Sequence, residues 1–273
     1  MNILKYNIPV ALAAVMFGLA SCDNIAEDDR FVDYDRPTVE RKIVIFEFTG
    51  QRCRNCPAGA AAGHSILENN PDDVFAINLH PENTQYTLPL GNLKLTSPAA
   101  TFLYQYYQPS AFPAACINGG QPINNTFTWS SEVSTALSMS SPATLNLTTE
   151  YNAETRELTV NYNSKFNEYT TKEVLVQLYL LEDGIVGMQQ SSTGLIRDYV
   201  HNHVLRTTLY NDWGNSLGDY FEVEQEVSGT ASITLSEDWD ASECTVVGCL
   251  ISAGDKSFLQ AAGADVVTDS NNE

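Results

Sequence analysis

The sequence predicts an α/β domain followed by an all-β domain, and three observations lead to that prediction. Upstream of Pro142, apolar strand-like runs alternate with stretches of small or amphipathic residues, which is typical of α/β folds. Downstream of Pro142, apolar residues recur at every second position, as they do in half-buried strands. These downstream runs are short, regularly spaced and separated by turn residues, so we expect a β-sandwich of immunoglobulin-like type.

The α/β part is expected to begin with a buried strand and to continue as alternating helices and strands. Apolar runs mark the strands, and small-residue or amphipathic stretches mark the helices. The expected elements are a strand at 43–46, a helix from Pro57 onward, a strand at 74–79, a helix at 99–107, a strand at 114–118 and a closing helix at 130–139.

The all-β part is expected to open with a hairpin. Its two runs, 144–148 and 157–162, both alternate apolar and polar residues and are joined through the polar turn 152–155. The further strand candidates are 174–181, 220–227, 231–235, 245–252 and 258–264.

The N-terminus has the form of a bacterial lipoprotein signal peptide. Lys5 precedes an apolar run at 8–19, and small residues precede Cys22. The run is shorter than the roughly 20 residues that a membrane span needs. An ordinary secretory signal containing a chance cysteine is the alternative. The predicted organisation is a signal peptide at 1–21, an acylated cysteine and acidic tether at 22–40, the α/β domain at 41–141, the β-sandwich at 142–268 and a polar tail at 269–273.

Cys22 is the predicted lipidation site, and the lipid bilayer is the predicted membrane partner. As the first residue after cleavage it would carry acyl chains, and two or more chains anchor a protein stably. The acidic residues that follow it show no hydrophobic periodicity and indicate a solvated tether.

The charge balance excludes nucleic acid as an expected partner. The chain has 14 basic and 34 acidic residues, a formal net charge of −20, and no cluster of Lys or Arg. No phosphate-binding loop, paired-carboxylate motif or Ser/His/Asp order stands out, so no cofactor is expected.

The segment Cys53-Arg54-Asn55-Cys56 is the main candidate for chemistry. It follows the apolar run 43–46 and precedes a helix-compatible stretch of small residues. A helix N-terminus stabilises a thiolate and lowers its pKa from about 8.5, which favours thiol–disulfide exchange. A fixed structural disulfide is the first alternative, since exported cysteine pairs oxidise by default. Zinc is a weaker alternative, because no second Cys/His pair has ligand spacing.

Three features together resemble the thioredoxin fold. The first is the Cys53/Cys56 dithiol. The second is Glu47, at the position where thioredoxins place a buried acid that exchanges protons with the second cysteine. The third is Phe112-Pro113, where thioredoxins carry a cis-proline packed against the dithiol. The resemblance implies that Glu47 is the proton acceptor of Cys56 and that the backbone beside Pro113 receives an extended peptide client.

A wider set of motifs resembles the Bacteroidota outer-membrane lipoproteins named after a protein of about 28 kilodaltons. These motifs are the lipobox, 48–50 leading into the Cys-x-x-Cys-Pro segment, Phe112-Pro113 leading into 117–119, and 199–206 within the β-rich tail. The resemblance implies an outer-membrane location. Acidic tethers like the one after Cys22 resemble the surface-export signal of such lipoproteins, although a charged linker explains them almost equally well.

The dithiol departs from the thioredoxin pattern at Arg52, Arg54 and Asn55. Two guanidinium groups beside Cys53 favour its thiolate, which stabilises the reduced form. We therefore expect a potential above the roughly −270 mV of thioredoxin.

The other cysteines and the histidine pair are expected to be structural. Cys116 is expected to be a buried thiol, with a role as a third redox thiol as the alternative. Cys244 and Cys249 lie on one predicted strand, about 16 Å apart and beyond disulfide reach. In a strand, His201 and His203 would share a face, but no third ligand is evident and no metal is expected.

Two functions remain open on the sequence alone. The leading one is an envelope oxidoreductase that exchanges disulfides with a cysteine-bearing protein client. The second is a non-catalytic surface lipoprotein that binds a protein, peptide or glycan. Exposure and acidity of Cys53 would favour the first, and a buried inert pair would favour the second.

Overall fold

A computed structural model describes residues 38–267, which lie within a single compact unit. Of these residues, 44% are in strands and 17% in helices. The predicted signal peptide, Cys22, most of the tether and the tail from residue 268 lie outside the described residues. Within the described part, no helix combines the length and the apolar character needed to cross a bilayer.

The described chain contains three α-helices and fifteen strands. The helices are α1 (Cys56–Asn69), α2 (Pro98–Tyr107) and α3 (Trp129–Leu137). The strands are β1 (Val39–Glu40), β2 (Ile43–Phe48), β3 (Val74–Leu79), β4 (Ala114–Ile117), β5 (Ser140–Ser141), β6 (Ala143–Asn152), β7 (Glu157–Phe166), β8 (Val174–Glu182), β9 (Ile185–Ser191), β10 (Gly194–His201), β11 (Val204–Thr208), β12 (Asn215–Gly218), β13 (Glu226–Thr234), β14 (Cys244–Ser252) and β15 (Phe258–Asp265).

One eight-stranded sheet runs through the molecule in the order β15-β14-β8-β11-β3-β2-β4, and β12 pairs with β8 at its side. β2 and β3 are parallel, whereas β4 and β8 run antiparallel to their neighbours β2 and β11. β11 joins the two halves of the chain. It pairs parallel with β3 at Val204 and Asn78, and the backbone N–H of Asn78 donates to the carbonyl of His203 at 2.7 Å.

The predicted fold class, an α/β thioredoxin-like domain followed by an immunoglobulin-like sandwich, is wrong. The molecule is mostly β, and strands from both sides of residue 142 share one sheet and one core. Phe46 of β2 packs edge-to-face on Tyr179 of β8 at 5.6 Å and on Phe258 of β15 at 5.3 Å between ring centroids. The sequence pattern located many of the strands but gave no sign that β11 would pair with β3.

A second, smaller sheet packs on the part of the long sheet that contains β8 and β14. β6, β7 and β13 form a three-stranded antiparallel sheet, which confirms the predicted hairpin at 144–162. Alternate residues of β7 are buried, and they pack with apolar residues of β8 and β14. Burial of these apolar faces is the dominant stabilising contribution.

The helices begin where local chemistry favours them. In α1, Pro57 occupies the first turn, and the buried residues are Cys56, Gly59, Gly63 and Ile66. Three of these four are small, so the helix backbone approaches the sheet closely. In α2, the Ser97 hydroxyl accepts a hydrogen bond from the backbone N–H of Ala100, as an N-cap does.

The strand prediction needs correction in several places, and the strands that it missed include β11 and β12. The stretch 220–227 is not a strand, because residues 222–225 turn and β13 begins only at Glu226. The β9–β10 hairpin (residues 185–201) was missed. Its two strands pair with each other, with an irregular register between Ile196 and Tyr199, which breaks the period-two pattern that sequence analysis relies on.

Candidate functional site

Cys53 and Cys56 form a disulfide at the start of α1. Their Cα atoms are 5.3 Å apart, within the normal range for a disulfide. Cys53 lies in the dithiol loop (residues 49–55, between β2 and α1), and Cys56 is the first residue of the helix. The backbone N–H of Cys56 donates to the carbonyl of Cys53 at 3.4 Å. Both cysteines are 2% exposed, so the bond is buried in this conformation.

Gly59 brings the predicted site residues together. A Cβ atom at Gly59 would lie 2.7 Å from Cβ of Pro113 and 2.8 Å from Oε1 of Glu47. Gly59 is one turn beyond Cys56 on the same face of α1. Glu47 and Pro113 therefore both lie against the part of α1 that directly follows Cys56.

Glu47 is a buried acid without a partner. It lies in β2, is 3% exposed, and its Oε1 atom accepts no hydrogen bond from any described residue. Burial disfavours the carboxylate and raises the pKa of Glu47 to about 8. At neutral pH the side chain is therefore mostly protonated, and it can release or accept a proton near pH 8.

The Phe112–Pro113 peptide bond is cis, as the resemblance implied. The ring of Phe112 is stacked on Tyr86, with centroids 4.8 Å apart. The Pro113 carbonyl accepts a hydrogen bond from the side chain of Asn124 at 3.0 Å. Within residues 38–267 the backbone of Phe112 makes no hydrogen bond, which leaves one N–H and one carbonyl for an added strand.

The β9–β10 hairpin covers the dithiol loop. The side-chain amide of Gln189 donates to the carbonyls of Gly50 at 3.1 Å and Cys53 at 3.0 Å. The backbone N–H of Gln190 donates to the carbonyl of Gln51 at 2.7 Å, and the Gln51 side chain donates back to the Met188 carbonyl at 3.0 Å. Segments more than 130 residues apart in sequence thus enclose the disulfide.

The two arginines of the dithiol loop donate to backbone carbonyls. Arg52 donates to Leu88 and Pro89, each at 3.1 Å. Arg54 donates to Ser192 in the turn of the β9–β10 hairpin at 3.4 Å. Both guanidinium groups are exposed, so their effect on a thiolate is weakened by solvent.

A cavity of about 360 Å³ lies beside Cys56. Its walls come from β2, β3, α1 and the end of the β9–β10 hairpin. Its ionisable lining residues, besides Cys56, are Glu47, His64, His80, Tyr199, His201 and His203. Burial lowers the pKa of His80 to about 3 and that of His201 to about 4, so both rings are neutral at pH 7.

The remaining candidate residues are three cysteines and the histidine pair, and both histidines line the cavity. Cys116, Cys244 and Cys249 are free and buried, which confirms the expectation for these thiols. The chain turns at His203, where φ is 55°, so the expected strand with both imidazoles on one face is wrong. Nδ1 of His203 lies 3.1 Å from the carboxylate of Asp183. Among the described residues no group of three or more His, Cys, Asp or Glu side chains is arranged to hold a metal ion.

Sequence reasoning missed Gln189. Its side chain reaches the site from a strand that was itself missed, and 136 residues separate it from Cys53. A polar residue in a short polar segment carries no local signal of burial, so only the fold reveals this contact.

Comparisons with known proteins place the chain in a family. The sequence matches the model of the family described as "Outer membrane protein Omp28" over residues 100–270, which leaves the dithiol loop outside the match. No curated protein matches the sequence at a significant level.

Among solved structures, the chain is similar to HBP35 of Porphyromonas gingivalis. The sequence identity is 15%, the match covers 84% of this chain and 76% of that chain, and the TM-score is 0.69. This likeness shows a shared fold. A protein of Agrobacterium tumefaciens matches at 13% identity over 84% of this chain and 96% of that chain, with a TM-score of 0.49.

A domain of the outer membrane lipoprotein Omp28 of Porphyromonas gingivalis matches at 18% identity, over 46% of this chain and 88% of that chain, with a TM-score of 0.33. The two scores below 0.5 establish no common fold. The family match, in contrast, covers more than half of the chain and confirms both the family resemblance and the predicted location at the outer membrane. The chain belongs to the Omp28 family of outer membrane proteins.

Proposed function

We propose that the Cys53–Cys56 pair exchanges disulfides with a cysteine-bearing protein of the cell envelope. The observation that supports this most directly is the position of Glu47. A buried carboxyl with a pKa near 8 lies against the helix turn that begins at Cys56, where a proton must move when that thiol forms or ionises.

The exchange, written as oxidation of a client, has two steps. A client thiolate attacks Sγ of Cys53, the Cys53–Cys56 bond breaks, and Cys56 leaves as a thiolate that takes a proton from Glu47. A second client thiolate then attacks the client sulfur of the mixed disulfide and releases Cys53. Two electrons pass from the client to the pair, and the client gains one disulfide. In the reverse direction the carboxylate of Glu47 accepts the proton of Cys56.

The surroundings of Pro113 suit an extended client. The unused backbone N–H and carbonyl of Phe112 can pair with a peptide strand, and the cis bond lies against the same helix turn as the disulfide. The β9–β10 hairpin must move aside for the client sulfur to reach Cys53, because both cysteines are 2% exposed.

Attachment to the membrane is part of the same proposal. An acylated Cys22 would hold the described unit at the bilayer through the acidic tether, and the net charge of −20 would keep the protein surface away from anionic lipid. Membrane contact would then be confined to the lipid chains.

A redox titration tests the proposal. The full-length protein is purified in detergent and equilibrated in glutathione buffers, and alkylated Cys53 and Cys56 are counted by mass spectrometry. A midpoint between roughly −120 and −270 mV supports a catalytic pair, whereas a midpoint below about −300 mV indicates a structural disulfide. We expect the midpoint to lie above −270 mV.

A trapping experiment identifies the client. Cys56→Ser leaves Cys53 without its resolving thiol, so mixed disulfides should accumulate in cells. Cys116→Ser is the matched control, since it also removes one cysteine but affects a buried thiol that forms no disulfide. Absence of any Cys53-linked protein in the Cys56→Ser cells would count against the proposal.

One observation favours a second candidate, a non-catalytic binding protein. The disulfide is buried beneath the β9–β10 hairpin, as expected of an inert structural bond. In that case the disulfide stabilises the start of α1, and the protein binds its partner through another surface. The redox midpoint distinguishes the two candidates.

A further inference from the structure

We propose that Gln189 is a positioning residue of the dithiol, and that its side-chain amide holds Cys53 in the orientation required by the reduced pair. The inference rests on the proposed function, since it concerns the relative stability of the reduced and oxidised forms.

The amide of Gln189 holds both ends of one turn. The backbone N–H of Cys53 donates to the carbonyl of Gly50 at 3.0 Å, which closes a turn at residues 50–53. Nε2 of Gln189 lies 3.1 Å from the Gly50 carbonyl oxygen and 3.0 Å from the Cys53 carbonyl oxygen. One side chain therefore fixes the first and the last carbonyl of the turn.

The carbonyl of Cys53 is also the start of the next turn. It accepts the backbone N–H of Cys56 at 3.4 Å, the bond that connects the dithiol loop to α1. The orientation of this carbonyl fixes the peptide plane after Cys53, and with it the N–H groups that face a thiolate at a helix N-terminus. By donating to this carbonyl, the side chain of Gln189 helps to fix the orientation of that peptide plane.

Gln189 is a polar residue in a buried position, so its amide group needs hydrogen-bond partners. The residue is 2% exposed, and burying an amide without partners is unfavourable. Nε2 has a third acceptor, the carbonyl of Gln190 at 3.0 Å, so its two N–H donors are shared among three backbone carbonyls. An apolar side chain of the same size would fill the space, but the carbonyls of Gly50 and Cys53 would lose their side-chain hydrogen-bond donor.

The contribution of this amide to the stability of the dithiol loop depends on the redox state of the pair. In the oxidised pair, the covalent bond between Cys53 and Cys56 itself restrains the turn at residues 53–56, which begins at the Cys53 carbonyl. In the reduced pair that restraint is gone, and the hydrogen bonds of Gln189 remain. Loss of the amide should therefore destabilise the reduced form more than the oxidised form, which makes the disulfide harder to reduce and raises the pKa of the Cys53 thiol.

Gln189→Met tests the inference, because methionine is similar in length and has no N–H donor. Gln51→Met is the matched control. Gln51 is equally buried, and its amide also joins the dithiol loop to the β9–β10 hairpin, but it donates to Met188 and does not contact Cys53. We expect Gln189→Met to shift the equilibrium constant with glutathione about tenfold against reduction, or ~30 mV, and Gln51→Met to shift it less than twofold.

Equal shifts in the two variants would overturn the inference, because they would show that the potential depends on hairpin attachment alone. If Gln189→Met fails to fold, the side-chain amide signals of Gln189 are followed by NMR in the wild-type protein before and after reduction. We expect them to stay protected from exchange in the reduced form, and their release on reduction would also overturn the inference. The wild-type midpoint tests the proposed function, and the difference between the variants tests Gln189, so the two failures are distinguishable.

Discussion

Gly59 lies directly against the carboxyl group of Glu47, so close that a Cβ atom at position 59 would be 2.8 Å from Oε1. The same Cβ would be 2.7 Å from Cβ of Pro113. A glycine at this position of α1 therefore allows the acid, the cis-proline and the helix turn of Cys56 to pack together. The helix gives up some intrinsic stability for this approach, because glycine is about 1 kcal/mol less favourable than alanine in a helix.

We expect Gly59→Ala to destabilise the protein in spite of the gain in helix propensity. Pro113 is a ring fixed to the backbone and cannot move away from the new methyl group, so the helix must shift. Overpacking of this kind costs about 1–3 kcal/mol, which exceeds the propensity gain. Urea denaturation of the oxidised protein measures the change in the free energy of unfolding.

Gly63→Ala is the control for this substitution. Gly63 lies one turn further along α1, and a Cβ there would be 3.3 Å from Oε2 of Glu47, the end of a side chain that can adjust. Gly63→Ala should leave stability unchanged or slightly raised. A Gly59→Ala protein as stable as Gly63→Ala would show that the helix has more room than the structure indicates.

The pKa of Glu47 predicts how stability depends on pH. The pKa is raised from 4.5 to about 8 by burial, so between these values the folded protein binds a proton that the unfolded chain has lost. Stability from this group is therefore fully present below pH 4.5 and falls as the pH rises toward 8, by at most about 1.4 kcal/mol per pH unit.

Glu47→Gln should remove that dependence. The difference in unfolding free energy between the variant and the wild type should move in favour of the variant as the pH rises from 5 to 8, measured by urea denaturation at several pH values. Glu68→Gln, at an exposed position of α1, should keep the wild-type slope. Parallel pH profiles for wild type and Glu47→Gln would contradict the raised pKa.

The sequence was informative where chemistry is local. The strand Val74–Leu79 is apolar except at Asn78, and α2 begins at a Ser-Pro pair. Glu47 and Pro113 were located relative to the dithiol by resemblance. These features depend on neighbours in sequence or on short motifs, so they could be identified without knowledge of the tertiary structure.

The sequence was uninformative where distant segments meet. The pairing of Val204 with Asn78 unites the two halves in one sheet, and a single residue pair leaves no trace in hydrophobic periodicity. The β9–β10 hairpin has an irregular register, and its hydrogen bonds to the dithiol loop connect segments more than 130 residues apart in sequence. The fold class was therefore mispredicted, and burial of the disulfide could not be foreseen.

The ion pair of Arg206 and Glu182 should stabilise the position of β11, the strand that pairs with β3 and so brings the two halves of the chain into one sheet. It links β11 to β8, with Nε of Arg206 2.7 Å from Oε2 of Glu182, and the side chains are 10% and 6% exposed. Arg206→Met leaves a buried carboxylate without its partner, which costs about 3–5 kcal/mol. Thermal and urea unfolding measure the loss.

Lys165→Met is the comparison for that experiment. Lys165 pairs with Glu224 at 2.5 Å, but the pair is solvent-exposed, so its removal should have little effect on unfolding. If Arg206→Met were as stable as Lys165→Met, the ion pair would not hold β11 in place, and the continuity of the long sheet would have to depend on apolar packing alone.

The three free cysteines within residues 38–267 should not be alkylated in the folded protein. Burial raises the pKa of Cys116 and of Cys244 to about 12, and that of Cys249 well above its ordinary value, so none forms a thiolate at pH 8. Iodoacetamide followed by peptide mass spectrometry should label none of them in the native protein and all of them in urea. After mild reduction, label should instead appear at Cys53 and Cys56, since the loop that carries Cys53 is held to the β9–β10 hairpin by a few hydrogen bonds, whereas Cys116 lies in a strand of the long sheet. Labelling of Cys116 before Cys53 would mean that the long sheet opens more readily than the dithiol loop, contrary to the pairing of Cys116 in β4 with Phe46 in β2.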